Sequence, residues 1–120
     1  MSGIERIAAE RRRQIEVEGW TAERDDEIHT GDQLALAAIC YASPVEIFIE
    51  KKQNVRNSRN QLVGSRILFE DPWPWAPCWD KRDCSRGSPT EQRIRDLEKA
   101  GALIAAEIDR LERLAASERQ

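Results

Sequence analysis

The segment 88–116, SPTEQRIRDLEKAGALIAAEIDRLERLAA, constrains the fold more than any other stretch, because it specifies one long helix whose apolar surface carries acids. Ser88, Pro89 and Glu91 supply a capping-box start with proline at the first helical position. Leu97, Gly101, Ile104, Ile108, Leu111 and Ala115 then recur at steps of three and four. At roughly 100° per residue, Asp96 and Glu107 fall beside that stripe, in line with the apolar Ala100, Leu103 and Leu114. Two carboxylates therefore border a seam expected to be buried. Carboxylates are rarely buried alone, so each needs a cation, a metal ion, a hydrogen-bond donor or a ligand.

Two further helices are expected. Residues 4–19 put Ile4, Ile7, Ala8, Arg11, Ile15 and Glu18 on one face, again with charges inside an apolar stripe. The stretch 20–29 reads as acidic and irregular. Thr30 and Gln33 make a second capping-box pattern leading into LALAAICYA, apolar nearly all round and so expected at the centre, with Pro44 closing it. VEIFIEKK and LVGSRILFE alternate weakly and are rich in β-branched residues, which suggests a hairpin with a mobile polar loop over 53–61. DPWPWAPCWDKRDCSRG should run extended over the helices. The expected fold class is all-α in the main: one small helical domain over 1–120, with helices near 4–19, 30–43 and 89–116, and an insert at 45–87 holding the hairpin and the Trp/Pro-rich strip.

Charge excludes some functions. The formal net charge is −3, so no global basic field points to nucleic acid as a partner. Arg11, Arg12 and Arg13 sit in a Glu-rich helix, and Arg56 and Arg59 in a polar loop. No apolar run approaches the roughly 20 residues that span a bilayer, and no charged-then-apolar leader opens the sequence, so no membrane partner and a cytoplasmic location are expected. Three cysteines fit a reducing compartment. Cys78 and Cys84 are too far apart for a zinc knuckle, and His29 is the only histidine.

The chemistry-bearing residues form three groups. Trp73, Trp75 and Trp79 are either plugs over a core of Ala, Ile and Leu or a lid whose indoles stack on a ring. Asp25, Asp26, Glu27, His29 and Asp32 lie within eight residues and offer oxygen ligands for Mg²⁺ or Mn²⁺, although carboxylates near a helix start are also explained by the helix dipole. Asp32 is set apart, because it could face Asp96 or Glu107 across the bundle; Asp32 and Asp96 are the candidate metal ligands. Arg11 paired with Glu18 or Glu107 would satisfy those charges with no function at all. The expected ligand site lies between Arg11, Glu18, Asp96, Glu107 and the three indoles. There Arg11 would meet a phosphate or carboxylate, the acids ribose hydroxyls or a cation, and a Trp a ring. The shallow core suggests a homodimer through the long helices.

IERIAAERRRQIEVEGW, GDQLALAAICYA, DPWPW and RIRDLEKAGALIAAEIDRL together resemble a group of short phage and prophage proteins. The first helix with its Glu-Arg, Gln and Trp, and the order of a central helix before a long acidic one, is more distantly similar to the all-α MazG-like nucleotide pyrophosphohydrolases. That likeness implies Mg²⁺ held by paired acids on two neighbouring helices. Of the E-x-x-E pattern only Asp32 is present, followed by Leu34, Ala35 and Leu36; of the E-x-x-D pattern, Asp96 is followed by Lys99. Three readings follow. The first is binding of a nucleotide-derived small molecule in a helical pocket without turnover or cofactor, sequestering a host defence signal in the host cytoplasm. The second is a Mg²⁺-dependent nucleoside triphosphate pyrophosphohydrolase using Asp32, Asp96 and Glu107 with acids of the 25–27 run. The third is a ligand-free helical interaction protein.

Overall fold

The computed structural model describes residues 1–82 and 87–119. The chain runs α1 (Gly3–Glu16), α2 (Ala22–Ile28), α3 (Gln33–Ala42), β1 (Ile49–Arg56), β2 (Leu62–Glu70), a single 3-10 turn (Pro77–Trp79) and α4 (Pro89–Glu118). Local chemistry sets most of the helix starts. The Ser2 hydroxyl accepts from the Glu5 N–H while the Ser2 N–H donates to the Glu5 carboxylate, and Ser88 and Glu91 repeat this exchange ahead of α4. Thr21 accepts from the Arg24 N–H, and Glu23 and Asp25 lie at the positive end of α2. The stretch 20–29, expected to be irregular, is thus a capped two-turn helix. Conversely, Thr30 caps nothing. α3 starts at Asp32 without a side-chain cap, because the Gln33 carboxamide folds back to accept from the Gly31 N–H.

α3 lies at the centre. Leu34, Ala37, Ala38 and Tyr41 pack against Ala100, Leu103 and Ala106 of α4, and Trp20, Trp73 and Trp75 close over them. The small residues let α3 and α4 approach closely, and this decides which face of α4 is buried. It is the Ala100–Leu103–Ala106 face. The stripe of Leu97, Ile104, Ile108 and Leu111, expected inside, stays 44–52 % exposed. Gly101 interrupts that stripe where α1 crosses α4. A Cβ there would lie 2.5 Å from Ile7 Cδ1, so glycine sets how near the two helices come.

The all-α expectation is overturned: among the described residues four helices are accompanied by a two-stranded antiparallel sheet, a mixed α/β fold. β1 pairs with β2 from Ile49 opposite Glu70 to Val55 opposite Gly64, with a bulge between Val55 and Arg56. The first half of the stretch 53–61, expected to be a mobile loop, is therefore ladder. The turn beyond it is ordered by the Asn57 carboxamide, whose Oδ1 accepts from the Arg59 and Gln61 N–H groups, and by Asn60 at a φ of 61°. Val63, Ile67 and Phe69 of β2, with Ile49 and Val55 near the two ends of β1, favour a pleated pair over an irregular insert. Neither strand touches a helix. The radius of gyration is accordingly 17.9 Å, against about 14 Å for a compact chain of this length. Among the described residues no helix is long and apolar enough to cross a membrane.

Candidate functional site

The buried polar groups of α1 define one wall of a cleft. Glu10 and Gln14, one turn apart, both point inward and are almost fully covered. α1 ends at Glu16, Gly19 turns the chain at a φ of 74°, and the Trp20 N–H returns to donate to the Gln14 carbonyl at 3.0 Å. This turn places Glu18 and Trp20 beside Gln14. The opposite walls are Tyr41 from α3, Lys99 and Leu103 from α4, and Trp73, Trp75 and Trp79 from the strip. The enclosed volume is about 200 Å³.

The aromatic groups interlock. Tyr41 meets Trp73 edge to face at 5.6 Å, Trp73 meets Trp75 at 5.4 Å, and Trp75 meets Trp20 at 5.4 Å and His29 at 5.3 Å. Each such pair contributes about 0.5–1.5 kcal/mol beyond its area. The Trp73 indole N–H is held by the Ala76 carbonyl, and the Tyr41 hydroxyl accepts from the Lys81 N–H. Burial pushes the Tyr41 hydroxyl up to about 12, so it stays neutral. Trp79 differs. It is more than half exposed and has no ring partner among the described residues, which leaves an indole face open on the rim.

The acids of the cleft are already engaged. Arg13 spans Glu10 and Glu18, donating to Glu10 at 2.8 and 2.9 Å and to Glu18 at 2.9 Å, and Arg95 reaches Glu10 from α4. Burial raises the Glu10 carboxyl, but the hydrogen bonds from Arg13 and Arg95 outweigh it and hold the group below the usual carboxylate range. Arg13 is correspondingly fixed in its charged form by its hydrogen bond to Glu10. Lys99 has the opposite setting: burial first, and then repulsion from Arg95, push its ammonium below the ordinary lysine range. Its Nζ lies 5.4 Å from the Tyr41 ring centre. Gln14 is the exception to this satisfaction. It is 2 % exposed, and its Oε1 has no hydrogen-bond partner among the described residues. An orphaned buried acceptor costs about 1–3 kcal/mol.

Of the residues singled out from the sequence, Glu18, Trp73, Trp75 and Trp79 line this cleft. Arg11 does not. It donates to Asp25 and to the Trp20 carbonyl, and Asp25, fully buried, also holds the His29 ring at 2.8 Å. His29, expected on the surface or at a cap, ends α2 as its C-cap and is buried in that pairing. Glu107 is bound by Arg110 one turn along α4, so neither of the pairings considered for Arg11 with Glu18 or Glu107 forms. Asp96 borders a separate depression with Cys40, Asp71, Asp80 and Arg82. Asp32 is exposed at the start of α3, and among the described residues no three acids, histidines or cysteines gather as a metal-binding group. Cys40 and Cys78 are free thiols; Cys84 lies outside the described residues.

Glu10, Arg13, Gln14, Trp20, Tyr41 and Lys99 were not legible as site residues. A signal existed for two of them: Glu10 and Gln14 stand four apart in line with Ile7, so their face was the inward one. Compared with known proteins, the chain matches no family model, no curated protein and no solved structure.

Proposed function

We propose that the chain binds a nucleotide-derived small molecule in this cleft and holds it without turning it over. The observation that carries the reading is the Gln14 carboxamide, buried and lacking a partner for Oε1 on a wall that faces tryptophans. With the carboxamide turned toward the cleft, a ring with an exocyclic amine or ring N–H would donate to that oxygen while its face lies against an indole, the pairing by which proteins take up unstacked bases. Drug-sized ligands occupy about 300–1,000 Å³, so a cleft of about 200 Å³ suits one ring system, with sugar and phosphate extending to the mouth. Lys81 and Lys99 line the same cleft and offer cations to a phosphate.

Binding is favoured over hydrolysis because Glu10 and Glu18 are both occupied by guanidinium groups. An acid tied in this way is not free to ligate Mg²⁺. The resemblance to phage and prophage proteins agrees with a role in sequestering a signal. The test is a thermal-shift panel of nucleosides and nucleotides with and without Mg²⁺, each reaction then analysed for products. Stabilisation in EDTA with the nucleotide recovered intact is expected. Stabilisation that needs Mg²⁺ and yields pyrophosphate would replace this reading with a pyrophosphohydrolase, and no shift with any compound would remove the site.

A further inference from the structure

Two apolar surfaces of this chain lack a partner, and they are on different elements. On α4, Leu97 lies before the crossing of α1 at Gly101, and Ile104, Ile108 and Leu111 follow it at steps of four and three along about 10 Å of helix, each of the four roughly half exposed. On the hairpin, Leu62, Val63, Ile67 and Phe69 are 58–67 % exposed, and neither strand touches a helix. A lone two-stranded ribbon is marginal in water, so this one is built to be covered. Its charge says by what. The hairpin holds Lys51, Lys52, Arg56, Arg59 and Arg66 against two acids, Glu50 and Glu70, the latter 3.8 Å from Lys51, in a chain whose net charge is −3. The stripe on α4 is flanked by the exposed acids Asp109 and Glu112, neither in a salt bridge among the described residues. The hairpin cannot use its own chain's stripe, from which it stands away. A second copy presents the same stripe with the complementary charge.

We propose that the protein dimerises by exchange of arms, the hairpin of each protomer lying across the α4 stripe of the other. β2 spans about 30 Å, more than the roughly 10 Å from Ile104 to Leu111 beyond the α1 crossing. The contact is reciprocal, so a two-fold dimer closes it and leaves no surface for growth. It does not depend on the ligand reading.

Light scattering on the full chain tests this with two variants, Ile67→Glu/Phe69→Glu on the arm and Ile108→Glu/Leu111→Glu on the stripe. All four side chains are exposed, and unchanged circular dichroism and melting curves would show that each variant folds. The wild type should have twice the 13.8 kDa chain mass, and each variant alone the monomer mass. Mixing the two variants, at the highest concentration where each alone is monomeric, should restore a dimer population, because the stripe variant's arm fits the arm variant's stripe. A monomeric wild type would overturn the proposal. So would an arm variant that stays dimeric, which would mean helices alone form the interface, or a mixture of folded variants that stays monomeric. Retention of the basic arm on double-stranded DNA by a wild type that is monomeric would assign the arm to nucleic acid instead.

Discussion

The tryptophan strip, residues 71–79, and the hairpin, residues 49–70, adjoin in sequence and could hardly differ more in how their side chains are used. In the strip, each indole but Trp79 is locked to another ring, and the acids around it are tied to arginines. In the hairpin, Ile67 and Phe69 stand in solvent and, among the described residues, the strands hydrogen-bond only to each other and to their own turn. The first pattern is a packed cleft with one unmet acceptor among the described residues, Gln14 Oε1; the second is an apolar ribbon left uncovered. The lesson is that an unmet group is informative in proportion to how well its neighbours are met.

Substitutions should separate the two regions by size of effect. Asp25→Ala strands Arg11 and removes the partner of the His29 ring, and should cost about 3–5 kcal/mol in chemical denaturation. A cost below about 1 kcal/mol would show that this buried triad contributes little to the helical end. Gly101→Ala forces three Ile7 side-chain atoms to move, a cost partly offset by the better helix propensity of alanine. The net should be a loss of about 1 kcal/mol, and a gain would mean that α1 shifts freely over α4.

The acid limb of stability should also belong to the cleft. The Glu10 carboxyl lies below its ordinary value when folded, so its contribution is full above the unfolded value and is lost as pH falls through the folded one. Melting temperature should therefore fall on acidification below about pH 4.3, and Glu10→Gln should flatten that fall. An unchanged slope in the variant would mean that other carboxylates carry it. The smallest effect is expected on the arm. Asn60→Val opposes a positive φ and should speed amide exchange along β1 and β2 while changing global stability by less than about 0.5 kcal/mol, because the hairpin is not coupled to the helices. A large fall in melting temperature would contradict the separation.

What the sequence disclosed follows from how local each signal is. The Ser88–Glu91 capping box and the span of α4 were legible because the capping groups lie within one turn. The buried face of α4 was not. Two faces of that helix are apolar, and the choice between them was made by α3, whose Ala37 and Ala38 accept a close neighbour only on the alanine side. The same nonlocality hid the site. Trp73, Trp75 and Trp79 stood out by composition and Glu18 by its place on the first helix, whereas Lys99 and Tyr41 join the cleft only through the α3–α4 packing. Arg11, Asp96 and Glu107 were flagged by their positions beside apolar stripes, and each found its interaction elsewhere; a stripe says which residues are near the interior and not which of them share a cavity.

The central claim is that the unmet acceptor in the strip-side cleft marks a ring-binding site. Titrating AMP, GMP and their triphosphates into the protein in EDTA, read by tryptophan fluorescence, tests it on wild type and Gln14→Leu together. Saturable quenching of the wild type by at least one of these is expected, with binding weakened about tenfold or more in Gln14→Leu, whose melting temperature should be equal or higher because the orphaned acceptor is gone. No quenching of the wild type, or equal affinity in a folded Gln14→Leu, would contradict the central claim.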